Sequence, residues 1–159
     1  MRVGVLHGPN LDLLGTRQPD LYGTTTLAEI DSRLRDLAEE LGVELDTLQS
    51  NHEGILLDWV RDGAPSLAGY VVNAAAYTHT SVALLDALVG VDRPYVEVHL
   101  TNLAARSRTR RRSLLAAHAV GVITGFGARS YELGLRALVA HVRDSTGNGG
   151  GPTGSERGG

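Results

Sequence analysis

Glu97 and His99 stand two residues apart in Pro94-Tyr95-Val96-Glu97-Val98-His99-Leu100-Thr101-Asn102, a β-branched and aromatic stretch opened by a proline. Such a composition predicts a short buried strand. Side chains alternate faces along a strand, so the carboxylate and the imidazole point the same way. The carboxylate can then accept a hydrogen bond from one ring nitrogen, fixing the tautomer and favouring the protonated ring. Polar groups follow at once: the Leu100 and Thr101 amides, the Thr101 hydroxyl and the Asn102 side chain. Ligands of parallel α/β sheets bind at the C-terminal ends of strands, which makes His99 a candidate general acid or base. The same pair also suits a purely structural role, tying down a strand end.

Other polar residues follow the same rule of position. Asn10, Arg17 and Tyr22 come after a first strand predicted over 2–7, and Asn51, His52 and Glu53 after a second over 43–48. Asn73 and His79 come after a third over 69–73, and His99 with Thr101 ends the fourth. A fifth strand is expected over 120–124. Helices are expected over 27–41, 55–61, 81–88, 104–117 and 131–142 from apolar spacing and capping residues. Strands alternating with helices predict an α/β fold: a flavodoxin-like three-layer sandwich whose five-stranded parallel sheet has the order 2-1-3-4-5. That topology brings all four polar sets to one edge of the sheet, and their convergence is the strongest sign of an active site. The loop from Leu11 to Gly23, broken by Gly15, Pro19 and Gly23, is long enough to be a lid.

Composition narrows the chemistry. A chain of 159 residues, 42% hydrophobic and 21% charged, suits one globular domain. We expect that domain over 1–143, with a glycine-rich disordered tail over 144–159. No apolar run approaches the ~20 residues of a membrane helix, and the N-terminus enters a strand pattern without a signal peptide. The absence of cysteine excludes thiolate nucleophiles and cysteine-ligated metals and fits a reducing cytoplasm. All 15 basic residues are arginine, so a lysine Schiff base and a P-loop lysine are excluded as well. A net charge of −3 argues against general nucleic-acid binding.

Gly8-Pro9-Asn10-Leu11-Asp12-Leu13-Leu14-Gly15-Thr16-Arg17, followed by Pro19 and Tyr22-Gly23, resembles the opening signature of the type II 3-dehydroquinate dehydratases. Gln49-Ser50-Asn51-His52-Glu53-Gly54, Ala76-Tyr77-Thr78-His79-Thr80-Ser81 and Glu97-Val98-His99 resemble the next three signatures, in order. The likeness covers about residues 2 to 142. It implies reversible dehydration of 3-dehydroquinate to 3-dehydroshikimate in the shikimate route to aromatic amino acids. It also implies no metal or organic cofactor, and a dodecamer built as four trimers.

The resemblance further implies roles. Tyr22 would be the base, acting as a phenolate, with Arg17 lowering its pKa and stabilising the transition state. His99, oriented by Glu97, would protonate the departing hydroxyl, and Asn10 would hold the intermediate or an ordered water. Asn73 and the amides of Leu100 and Thr101 would bind the substrate carboxylate, and His79 and Arg110 the ring hydroxyls. Asp86 would reach the site of a neighbouring subunit. Arg106 and Arg110, four apart on the helix expected there, would share a face toward the lid or site. His52 and Glu53 suit helix capping as well as substrate contact. Arg108, Arg111 and Arg112 suit a solvated or intersubunit face, and Tyr77, His7, His118 and His141 suit structural roles.

The chain departs from the pattern at Asn73-Ala74-Ala75-Ala76-Tyr77, where the family usually has Asn-Pro-Gly-Ala-Tyr. If that glycine's place requires a positive φ, Ala75 is strained by about 1 kcal/mol. Thr101 stands where serine is commoner, and Ser107-Arg108-Thr109 where two acids and a Phe often lie. Two other readings compete. Gly125-Phe126-Gly127 after a strand suits a flavodoxin-like nucleotide or flavin binder, although Ser130 replaces the third glycine of a dinucleotide turn. A nucleic-acid module using Arg106 to Arg112 is the other, opposed by the acidic balance and the scarcity of stacking aromatics.

Overall fold

A computed structural model of the chain describes residues 1–16, 20 and 23–147. Its five strands are β1 (Arg2–His7), β2 (Glu44–Gln49), β3 (Tyr70–Asn73), β4 (Tyr95–His99) and β5 (Gly121–Thr124). They form one sheet in the order β2-β1-β3-β4-β5, with every neighbouring pair parallel. This is the expected flavodoxin-like order, and it sets all the strand C-termini along one edge. Register then decides which side chains are neighbours: His7 pairs with Asn73, Val72 with Glu97 and His99 with Thr124.

The helices are α1 (Leu27–Leu41), α2 (Glu53–Gly63), α3 (Tyr77–Thr80), α4 (Val82–Gly90) and α5 (Arg129–Gly147). α1 has the predicted limits because both its stops are local. Thr26 and Glu29 form a reciprocal capping box, and Gly42 ends the helix at φ 66°. α1 and α5 cover one face of the sheet, where Ile30, Leu34, Leu135 and Leu138 pack on Val3, Val5, Val71 and Val96. α2 and α4 cover the other, with Leu56, Val60, Leu84 and Leu88 against Leu6, Tyr70, Val72 and Tyr95. Each fully buried aliphatic side chain contributes roughly 1.5–3 kcal/mol, so the two cores hold the strand ends in fixed relation.

Two expectations fail for physical reasons. The segment expected to be helical over 104–117 instead holds two 3-10 turns, Leu103–Ala105 and Arg108–Arg110. Side chains there take the backbone amides a helix would use. Asn102 Oδ1 accepts from Ala104 N at 3.0 Å, and Ser113 Oγ accepts from Leu115 N and Ala116 N at 3.0 Å. Five arginines between 106 and 112 would also repel one another along a helix. Arg106 and Arg110 therefore do not share a helical face, although both line the same cavity, as expected of site residues. The second failure is the C-terminal boundary: α5 runs to Gly147, past both the expected helix end at Val142 and the expected tail start at Asp144. The rest of the proposed tail, 148–159, lies outside the described residues. The remaining helices shift by one to two residues at their ends, and α3 is an extra turn separated from α4 by Ser81, whose hydroxyl caps Leu84 N at 2.9 Å.

Candidate active site

β4 delivers the central pair. Glu97 and His99 are buried on one face of the strand, and His99 Nε2 donates to Glu97 Oε1 at 2.7 Å. Glu97 is fully buried, and burial alone would raise its carboxyl pKa. Hydrogen bonds from His99 and Thr78, the charge on His99 and a bond from Ser113 together outweigh burial and hold the carboxyl below its usual value. Thr78 Oγ1 donates to Glu97 Oε1, and Ser113 Oγ bridges both carboxylate oxygens at 2.8 and 2.9 Å. Glu97 is thus a fixed anion behind the imidazole, and Nδ1 is the nitrogen left to serve the cavity.

That cavity, about 420 Å³, opens along the C-terminal edge of the sheet and is lined by Asn10, Asn73, His79, His99, Leu100, Thr101 and Arg110. Several of these groups are braced from behind. Asn10 sits at φ 65°, a left-handed conformation that Asn tolerates, and its N–H donates to Asn51 Oδ1 at 2.8 Å. Asn51 is tied in turn by Gln49 Nε2 at 3.2 Å and by the Tyr77 hydroxyl, 2.7 Å from its carbonyl oxygen. Gly8 makes this loop possible: a Cβ there would lie 2.3 Å from Ala74 O. Asn73 Oδ1 accepts from Ala75 N at 3.2 Å. His79 Nδ1 lies 2.7 Å from Arg112 O, so Nδ1 carries the hydrogen and Nε2 is the acceptor in the neutral ring. Thr101 Oγ1 accepts from Arg106 Nε at 2.8 Å.

The structure therefore gathers Asn10, Asn73, His79, His99, Leu100, Thr101 and Arg110 around one space, with Glu97 directly behind His99. Asp86 is exposed on α4 and does not line the cavity of its own chain. Arg17 and Tyr22 lie outside the described residues. His52 and Glu53 sit at the N-terminus of α2 and do not line the cavity. Tyr77 packs and braces Asn51, while Arg108, Arg111 and Arg112 are exposed. Ala75 has φ 50°, so the strain expected from the missing glycine is present. Thr78 and Ser113 were missed by sequence reasoning. Thr78 sits inside a recognised signature and could have been found there; Ser113 gives no local signal.

Gly125 and Gly127 have φ 96° and 58°, and their N–H groups bond to His99 O at 3.2 Å and Leu100 O at 2.9 Å. Ser130 Oγ accepts from Phe126 N at 3.2 Å. The glycines thus serve a turn that braces the end of β4. Among the described residues no cluster of His, Asp or Glu could hold a metal ion, and no helix is long and apolar enough to cross a membrane.

A carboxylate-held histidine facing a polar cavity at the strand ends defines an acid–base site on a flavodoxin-like α/β scaffold. The chain belongs to the class II dehydroquinases: the family model, Dehydroquinase class II, matches residues 1–139. A 3-dehydroquinate dehydratase of Synechococcus sp. (strain WH7803) is 53% identical over 143 residues, covering 90% of this chain and 97% of that one. One of Bordetella avium (strain 197N) is 55% identical over 138 residues, covering 86% and 96%. Among solved structures, the type II dehydroquinase of Propionibacterium acnes has a TM-score of 0.83 at 40% identity, covering 87% of this chain and 96% of that one. That of Butyrivibrio crossotus DSM 2876 has a TM-score of 0.85 at 32% identity, covering 87% and 97%.

Proposed function

We infer that this protein is a hydro-lyase that dehydrates 3-dehydroquinate reversibly to 3-dehydroshikimate, as its relatives are named to do. The observation that carries the chemistry is the buried Glu97 carboxylate 2.7 Å from His99 at the cavity wall. The reaction breaks a C–H bond alpha to a ketone, passes the electron pair through an enolate, and expels the neighbouring hydroxyl. It needs a base, donors for the enolate and an acid for the leaving oxygen. In this reading Tyr22 takes the proton as a phenolate, with Arg17 stabilising its charge and that of the transition state. Asn10 steadies the enolate or an ordered water. His99 Nδ1–H gives its proton to the departing hydroxyl, and the Glu97 anion offsets the charge the ring carries beforehand. With no lysine in the chain, the route has no imine.

Substrate groups find matching partners around the cavity. The carboxylate goes to Asn73 and the amides of Leu100 and Thr101, donors without a strong counter-charge. His79 Nε2 accepts from one ring hydroxyl and Arg110 donates to another. Asp86 completes the site of a neighbouring copy in a dodecamer of four trimers, and a cytoplasmic setting suits a chain without cysteine. The domain that works is the single sheet with its helices, and no cofactor is required.

An ultraviolet assay for the conjugated enone formed from 3-dehydroquinate tests the reading. Turnover by the purified protein is expected, nearly abolished in Tyr22→Phe and Arg17→Ala while circular dichroism is unchanged. Wild-type rates in His99→Ala would remove that residue as the acid. Borohydride added with substrate should trap no adduct. Sedimentation velocity checks the assembly. Tight FMN or NAD binding by calorimetry, with no turnover, would favour the flavodoxin-like rival.

A further inference from the structure

Asn51 follows β2, is exposed and does not line the cavity, yet three hydrogen bonds meet on it. Asn10 N and Gln49 Nε2 both donate to its side-chain oxygen, at 2.8 and 3.2 Å. The Tyr77 hydroxyl donates to its backbone carbonyl at 2.7 Å. Gln49 Nε2 also donates to Gly8 O at 3.2 Å, and Ser50 N to His7 O at 3.1 Å. The stretch Gln49 to Asn51 thus grips residues 7–10 at three points. Asn10 takes the N-cap place of the 3-10 turn Leu11–Leu13, but at φ 65°, and its side chain makes no capping bond. An asparagine at an N-cap ordinarily turns its side-chain oxygen to the amides of the turn. Here the Asn10 backbone is committed at both ends, its N–H to Asn51 and its carbonyl to Leu13 N at 3.1 Å, and the carboxamide is left to the cavity. We propose that Asn51 is a positioning residue whose side-chain oxygen holds Asn10 in the left-handed conformation and so keeps the Asn10 carboxamide at the reacting centre. The proposal deepens the functional reading above and rests on Asn10 steadying the intermediate or its ordered water.

Donor and acceptor roles decide which part of Asn51 acts. A backbone N–H and the Gln49 Nε2 group can only donate, so the atom that meets both is the Asn51 oxygen, and Asn51 Nδ2 has no share in the grip. Residues with a Cβ are disfavoured in the left-handed region, and asparagine visits it only with local help. Without the acceptor at residue 51, Asn10 can relax to negative φ, where its side chain turns back to cap the 3-10 turn. Displacing a placed group by about 1 Å can cost ~100-fold in rate. The groups proposed to hold the substrate carboxylate and ring hydroxyls sit on other elements, Asn73 at the end of β3, Leu100 and Thr101 after β4 and His79 on α3. They keep their places, so the loss falls on kcat and not on KM.

The test is steady-state turnover of 3-dehydroquinate by variants of the full chain, with folding checked by circular dichroism. Asn51→Leu should lower kcat about tenfold or more, with KM within about twofold. Asn51→Asp keeps the accepting oxygen and removes only the amide donor, so its kcat should stay within about threefold of wild type. Gln49→Glu sets a second acceptor against Asn51 Oδ1, turns that amide round and should lose as much as Asn51→Leu. Asn10→Ala should itself be slowed about tenfold or more, and adding Asn51→Leu to it should cost less than about twofold further, because both act through one side chain. The proposal is overturned if Asn51→Asp is as slow as Asn51→Leu, or if Asn51→Leu exacts its full loss on top of Asn10→Ala. Wild-type kcat in Asn51→Leu or in Asn10→Ala overturns it as well. Should Asn51→Leu fail to fold, the contrast between Gln49→Glu and Asn51→Asp decides. Failure of the wild-type protein to turn over 3-dehydroquinate would refute the functional reading instead, so the two failures are told apart.

Discussion

Replacing Ala75 by glycine should make this protein more stable, although the change deletes a methyl group that packs against the core. Ala75 sits at φ 50°, where an L-residue with a Cβ is disfavoured by roughly 1–2 kcal/mol relative to glycine. Against that relief stand two losses. Glycine adds unfolded-chain entropy worth about 0.4–1 kcal/mol, and the half-buried methyl contributes less than the ~0.8 kcal/mol of a buried methylene. The net gain expected is about 0.5 kcal/mol, near 1–2 °C in Tm for a domain of this size. Asp92 at φ 51° is the internal control, because Asp tolerates the left-handed region better and Asp92→Gly should gain less. Ala75→Val should lose stability, its branched Cβ aggravating the clash. Urea denaturation followed by circular dichroism reads all three as midpoint shifts at constant slope. The loop keeps its path in Ala75→Gly, so KM and kcat should stay within about twofold. A midpoint at or below wild type in Ala75→Gly, with Ala75→Val unharmed, would refute the strain argument.

Ser113→Ala removes a donor to both Glu97 oxygens and the cap on Leu115 N and Ala116 N. A hydrogen bond to a charged group is worth about 1.5–3 kcal/mol, so kcat should fall about tenfold or more with little change in KM; an unchanged kcat would detach Ser113 from the His99 pair. The Glu97 carboxyl is held below the 4.5 of an ordinary glutamate, so its stabilisation is present above that pH and lost as pH falls through the lowered folded value. Glu97→Gln should therefore flatten the acid limb of a stability–pH profile, measured by urea midpoints. Burial pushes Tyr70 and Tyr95 up from 10.0 to about 12, with Arg93 opposing and Asp46 adding at Tyr70, and Glu97 adding at Tyr95. Their contribution is complete below pH 10 and lost as pH rises through about 12. Alkaline unfolding should begin in that window and be milder in Tyr95→Phe, whose lost bond to Leu115 O lowers stability at every pH by comparison.

What the sequence displayed well is what depends on near neighbours. α1 is bounded by its own capping box and its own glycine, and its limits could be read directly. The side-by-side placement of Glu97 and His99 follows from strand alternation alone. The stretch after β4 misled because helical composition there competes with hydroxyl and amide side chains that claim the backbone amides first. Composition records which residues are present and not which bond forms earliest. α5 ran past its expected end because Arg143 Nη2 donates to Leu41 O at 2.6 Å and ties the last turns to α1, a long-range contact that polar composition does not display.

The site divides along the same line. The ligand-facing groups were visible because topology puts them at strand ends, a position countable from the sequence. Their supports were not, because most come from another element: Ser113 to Glu97, Arg112 O to His79 and Asn51 to Asn10. A histidine or an amide in solution offers every ligand both of its faces. At His79 and Asn73 one face is already committed, to Arg112 O and Ala75 N, so the remaining one has a fixed polarity: acceptor at His79 Nε2 and donor at Asn73 Nδ2. Polarity at the cavity wall is therefore set by contacts behind it, and a change at Ser113, which does not line the cavity, should alter chemistry more than a change at an exposed arginine such as Arg108 does.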